Sequence, residues 1–125
     1  MQQASGYELE LLKAIWANGG TALYAEIVSG LEAKGYSWTK NTIITLLSRL
    51  TDKGMLTISK TGRKNIYQAT VAENEYLADQ TTRFVDKVFE GSTKGLVAAL
   101  IEKDMLSSSD YEELRKHWND GDQTT

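Results

Sequence analysis

Ser37-Trp38-Thr39-Lys40-Asn41-Thr42-Ile43-Ile44-Thr45-Leu46-Leu47-Ser48-Arg49-Leu50-Thr51-Asp52-Lys53-Gly54 is the most informative segment of this chain. Its periodicity predicts a helix from about Thr39 to Lys53, with Ser37 or Thr39 as the N-cap and Gly54 as the stop. At one helical step per residue, Leu46, Leu47 and Leu50 fall within about 60° of Ile43 and form a core stripe. The opposite face holds Asn41, Thr45, Ser48 and Asp52, with Thr42 and Arg49 flanking it on one side and Ile44 on the other. Lys40 sits in the first turn. A solvated face would more often carry Glu and Lys. Small hydrogen-bonding side chains let a helix enter a groove: Asn, Thr and Ser bond base edges or phosphates, Arg forks onto guanine, and Ile44 could meet a thymine methyl. On this helix alone, an exposed face that is simply rich in Thr, Ser and Asn stays open as a reading.

The flanking sequence narrows the choice. Upstream, Leu9, Leu12, Ile15 and Trp16 recur at helical spacing and predict a helix from Gly6 to Asn18, stopped by Asn18-Gly19-Gly20. Ile27, Val28 and Leu31 predict a second from Tyr24 to Lys34, ended by Gly35. Downstream, Met55 to Val71 alternates in the strand period, and Thr61-Gly62-Arg63 makes a hairpin tip. That tip is basic, with Lys60, Arg63 and Lys64. Three helices, the third with a small polar outer face, followed by a basic hairpin, are the arrangement of a winged helix-turn-helix. Trp16 and Trp38 are read as packing anchors rather than ligand stackers.

Residues 72–125 return to the helical period. Leu77, Phe84, Val85, Val88 and Phe89 make one stripe behind the acidic start Glu73–Glu75. Leu96, Val97, Leu100 and Ile101 mark a short helix. Ser107 caps a last one, with Asp110 at its third position and Tyr111, Leu114 and Trp118 on its apolar face. The polar tail from Asn119 is expected to fray, and His117 is read as a solvated helix residue. The fold class is thus mainly α with a small β-hairpin wing: a winged helix at 1–71 and a helical domain at 72–125.

Charge divides the same way. The net charge of −3 conceals a balance of +3 over residues 1–71 and −6 over 72–125, and residues 36–71 alone hold six basic groups and one acid. The basic stretch suits a polyanion; the acidic half does not. Yet that half is rich in apolar residues that three short helices, without a disulfide or metal, cannot easily bury among themselves. A second copy of the chain is the simplest cover for Leu77, Phe84, Val88, Leu96, Leu100, Ile101, Leu114 and Trp118. Docking onto the chain's own winged helix is the alternative.

There is no Cys and one His, His117. Disulfides and thiolate metal sites are excluded, and no nucleophile–base pair or metal set can be assembled, so neither an enzyme nor a cofactor is expected. No apolar run has transmembrane length, and the first residues do not resemble a signal peptide, so no membrane insertion and a cytoplasmic location are expected.

Glu8-Leu9-Glu10-Leu11-Leu12-Lys13-Ala14-Ile15-Trp16, Trp38-Thr39-Lys40-Asn41-Thr42-Ile43, Thr45-Leu46-Leu47-Ser48-Arg49-Leu50, Lys53-Gly54 and Gly62-Arg63-Lys64-Asn65-Ile66-Tyr67 together resemble the penicillinase-repressor (BlaI/MecI/CopY) family of bacterial transcriptional repressors. The resemblance covers nearly the whole chain. It implies an N-terminal winged helix, a C-terminal helical dimerisation domain and a pseudo-palindromic double-stranded operator. Carried over by position, it implies DNA contacts at Lys40, Asn41, Thr42, Thr45 and Arg49, with Arg63 and Lys64 in the wing; Lys60 joins them on charge. It also implies a regulatory protease as a partner of the β-lactam-responsive members. The bond aligned with their Asn–Phe cleavage site is Ala99–Leu100 here, which departs from the family pattern. The Cys-rich metal motif of the copper-responsive members is absent from 119–125.

The function expected is a homodimeric, sequence-specific DNA-binding repressor that occludes a promoter. The alternative is a winged-helix module whose third helix docks a protein partner.

Overall fold

The computed structural model describes the backbone of residues 2–124 and the side chains of residues 2–118. Six helices and three strands follow in the order α1 (Gly6–Ala17), β1 (Thr21–Leu23), α2 (Tyr24–Ala33), α3 (Lys40–Asp52), β2 (Leu56–Thr61), β3 (Lys64–Ala69), α4 (Glu73–Val88), α5 (Thr93–Glu102) and α6 (Ser108–Thr124). A winged helix-turn-helix followed by helices is therefore the observed architecture.

Most of these helices begin where a side chain accepts an orphan backbone N–H. Ser5 and Glu8 form a reciprocal capping box on α1: the Glu8 amide donates to Ser5 Oγ at 3.3 Å and the Ser5 amide donates to Glu8 Oε1 at 2.9 Å. Of the two candidates for α3, Thr39 is the cap; its Oγ1 accepts from the Thr42 amide. Ser107 and Asp110 repeat the reciprocal pattern before α6, and hydrogen bonding with Ser107, its backbone amide first, holds the Asp110 carboxyl below its usual range.

The core of the first unit lies between α1, α2, α3 and the sheet. The α3 stripe Ile43, Leu46, Leu47 and Leu50 is buried, together with Leu11, Leu12 and Ile15 of α1, Ile27 and Leu31 of α2, and Met55, Leu56 and Tyr67 near or in the sheet. Trp16 and Trp38 pack partly buried against this core, as their reading as anchors requires. The helices α1 and α2 cross closely, because a Cβ at Gly30 would stand 3.2 Å from the Ala14 Cβ.

The sheet is antiparallel with strand order β1-β3-β2. Strand β1 goes beyond the predicted hairpin. Its three residues pair with β3, Leu23 opposite Ile66, and Leu23 is at once the last residue of the strand and the N-cap of α2. The wing turns on two residues, Gly62 and Arg63, between the paired Thr61 and Lys64. Gly62 has φ 63°, at the first loop position, where hairpin turns that match the strand twist place a left-handed residue.

The chain divides into two compact units, to Gln80 and from Thr81. The first extends nine residues past the expected boundary at 71, and the reason is Tyr76. Its ring is buried and lies 5.8 Å from that of Trp16, and its hydroxyl accepts the Ala4 amide at 2.9 Å. Trp16 Nε1 in turn donates to the Val71 carbonyl at 2.9 Å. The start of α4 is thus part of the winged-helix core. In the second unit, α6 continues helical through Thr124, where a fraying tail is expected from Asn119; one Gly inside a helix costs only about 1 kcal/mol, and no Pro interrupts it.

Candidate nucleic-acid interface

The outer face of α3 is built by the burial of its inner one. With Ile43, Leu46, Leu47 and Leu50 fixed in the core, Lys40, Asn41, Thr42, Thr45, Ser48 and Arg49 are all exposed. Thr42 has a second task at the cap: Thr39 Oγ1 donates to Thr42 Oγ1 at 3.0 Å, so the Thr42 hydroxyl accepts there and keeps its own hydrogen to donate. The Lys40 ammonium stands 6.0 Å from the centroid of the Tyr24 ring, at the outer limit of a cation–π contact.

The wing tip residues Lys60, Arg63 and Lys64 are exposed. Lys64 and Lys40 line one concavity of about 440 Å³ together with Tyr24, Ile44, Asn65 and Tyr67. Lys60 and Arg63 do not line it. Asn65 is oriented by Tyr67, its Nδ2 donating to Tyr67 Oη at 3.3 Å. Ile44, read as a candidate for a thymine methyl, lines this concavity and stays 41% exposed.

Tyr24 and Asn65 were not legible as part of this surface. Tyr24 is there because β1 hands the chain directly to α2, and a three-residue strand leaves too little alternation to read.

One cation of the basic stretch is spoken for. Lys53 caps the carboxyl end of α3, and its ammonium donates to Glu8 Oε1 at 2.6 Å and to the Gln3 carbonyl at 3.0 Å. Glu8 is 2% exposed. Burial pushes its carboxyl up, but the bond and charge of Lys53 and the bonds with Ser5 outweigh it and hold the group below the usual carboxylate range. Lys53 thus ties the end of α3 to the start of α1 and adds little to the outward field.

The apolar residues of the second candidate surface are largely exposed in the single chain: Phe84 and Val88 on α4, Ile101 on α5, Leu114 and Trp118 on α6. Leu96 and Leu100 are half-buried. Leu77, also exposed, lies in the first compact unit rather than with the others. Among the described residues no helix is long and apolar enough to cross a membrane.

Comparison with known proteins gives this geometry its context. The penicillinase-repressor family matches residues 4–120. The penicillinase repressor of Bacillus licheniformis is 32% identical over 112 residues, 90% of this chain and 86% of its own length. The methicillin resistance regulatory protein MecI of Mammaliicoccus sciuri is 30% identical over 117 residues, 94% of each chain, and the same holds for MecI of Staphylococcus aureus strain N315. A match that runs through both the winged helix and the helices behind it means that the chain belongs to the penicillinase-repressor family, a family of transcriptional repressors and not of enzymes.

Proposed function

We propose that this chain is a homodimeric repressor that binds a pseudo-palindromic operator and blocks a promoter with two copies of α3, about one helical turn of DNA apart. The observation that carries the reading is the composition of the exposed α3 face, Asn41, Thr42, Thr45, Ser48 and Arg49, with the Lys40–Lys64 concavity beside it and the acidic residues gathered in the other half of the chain. In this reading Asn41, Thr42, Thr45 and Arg49 meet base edges. Lys40, Lys60, Arg63 and Lys64 meet the backbone. Residues 72–125 join two copies through Phe84, Val88, Leu96, Leu100, Ile101, Leu114 and Trp118, with Leu77 at the margin. Trp118, 73% exposed in the single chain, supports a missing apolar partner, and a two-fold copy supplies one of matching chemistry. Such a dimer works dissolved in the cytoplasm, where its operator is.

Release of the operator by a regulatory protease fits less readily. Ala99 and Leu100 are half-buried within α5, and their carbonyls accept the Lys103 and Met105 amides at 3.1 and 2.9 Å. A protease reaches that bond only after the last turn of α5 opens.

Mobility-shift titration with genomic fragments tests the reading. The Thr45→Ala/Arg49→Ala variant should lose about 1–3 kcal/mol of specific binding per base contact removed. The wild type should lose roughly 10³–10⁵ in affinity between about 50 and 200 mM salt. A folded double variant that binds as the wild type does would overturn the base-reading face, and a flat salt response would favour a protein partner.

A further inference from the structure

The concavity between α3 and the wing carries an inference that rests on the DNA-binding reading and goes beyond it. A helix in the major groove and a wing over the adjacent minor groove are separated by one sugar–phosphate strand. Whatever lies between α3 and the wing must therefore accommodate that strand. The strand alternates two chemistries, an anionic phosphate and a largely apolar deoxyribose. The concavity offers both complements in its lining: the exposed Lys40 of α3 and Lys64 of the wing, and the side chains of Tyr24, Tyr67 and Ile44. Among the described residues no carboxylate lines it. At about 440 Å³ it is far larger than a thymine methyl requires.

We propose that this concavity grips the strand between the two grooves, with Lys40 and Lys64 on phosphates of the same strand and Tyr24 and Ile44 against the intervening sugar. Tyr24 and Asn65 then belong to the DNA interface. Tyr24 acts through contact with the sugar and by holding the Lys40 ammonium over its ring; Asn65 adds an amide donor. The grip sets the register of α3 along the groove without reading sequence. Ile44 serves the backbone rather than a base.

The test uses full-length protein and an operator half-site in which single phosphates are replaced, one at a time, by neutral methylphosphonates. Wild type, Lys40→Ala, Lys64→Ala and Tyr24→Ala are titrated against each duplex. Each lysine variant should lower the slope of log affinity against log salt by about one. Neutralising a gripped phosphate should weaken the wild type while adding nothing to the loss in the lysine variant that has already given up that contact. The two phosphates found this way should lie on one strand. Tyr24→Ala should weaken specific and non-specific duplexes alike, roughly fivefold for the loss of an apolar contact of this size, with the salt slope nearly unchanged. Ile44→Glu, at a half-exposed position where the fold tolerates a charge, should weaken all duplexes more than Tyr24→Ala does and serves if that variant fails to fold. Losses that add at every phosphate, or lysine-coupled phosphates on opposite strands, would overturn the grip while leaving DNA binding intact. Absence of any shift with wild type would instead remove the reading beneath it.

Discussion

The two compact units use the same apolar residues to different ends. In the first, Leu11, Leu12, Ile15, Ile27, Leu47 and Leu50 are sealed from water by one another. In the second, Val85 is buried, but Phe84 and Ile101 stay about half exposed and Trp118 more so. Neither stripe differs much in composition. What differs is whether the same chain supplies the opposing surface. Three helices and a sheet enclose a core; the helices after residue 80 leave a face whose burial requires something else. An apolar stripe records a demand for a partner surface, and only the fold says whether the demand is met within the protomer.

The comparison breaks most readily at the exposed side. In Phe84→Asp/Ile101→Asp, both positions are accessible in the single chain, so the protomer should stay folded while a dimer would have to bury unpaired carboxylates. Sedimentation should shift to the monomer. Operator affinity should fall by about 10²–10⁴ as the linkage of two half-sites is lost. A variant that still sediments as a dimer would show that the face is not the interface.

Next in size is the enclosed side. Leu50→Ala, fully buried between α1 and the sheet, should cost about 2–5 kcal/mol in urea unfolding, independent of protein concentration. If the proposed dimer buries Leu114, Leu114→Ala should instead change the concentration dependence of unfolding. Equal behaviour of the two variants would erase the distinction between the units.

The smallest effect sharpens the first unit alone. Since the Glu8 carboxyl is held below its unfolded value, its contribution is complete above the unfolded carboxyl range and fades as pH falls through the folded value. Glu8→Gln should cost about 2 kcal/mol near pH 7, when the Lys53 ammonium loses its counter-charge, and the deficit should shrink toward about pH 3. A deficit constant over that range would mean that the carboxylate form matters little.

The helices of the first unit were legible because burial on one side imposes its period on the sequence; the α3 stripe read from Ile43, Leu46, Leu47 and Leu50 is the buried one. Caps were legible for a similar reason, since Ser107 and Asp110 lie three residues apart and act locally. The features that escaped depend on distant residues. Tyr76 belongs to the first unit through an amide 72 positions away. Lys53 counts as a free cation until Glu8, 45 positions earlier, is seen beside it. Tyr24 and Lys64 share a concavity only because β1 pairs with β3. Sequence distance hides what hydrogen bonding and packing create.

The bond from the Ala4 amide to Tyr76 Oη has a practical reach. It ties the first residues of the winged-helix unit to the start of α4 near its other end, and a unit whose ends lie near each other is suited to splicing into a surface loop of an unrelated host. A cassette of residues 3–80 would carry both halves of that clasp, whereas one cut at residue 71 would discard Tyr76 and leave Trp16 without its ring partner. The clasp therefore marks where scissors belong if this winged-helix module is to be moved into other proteins.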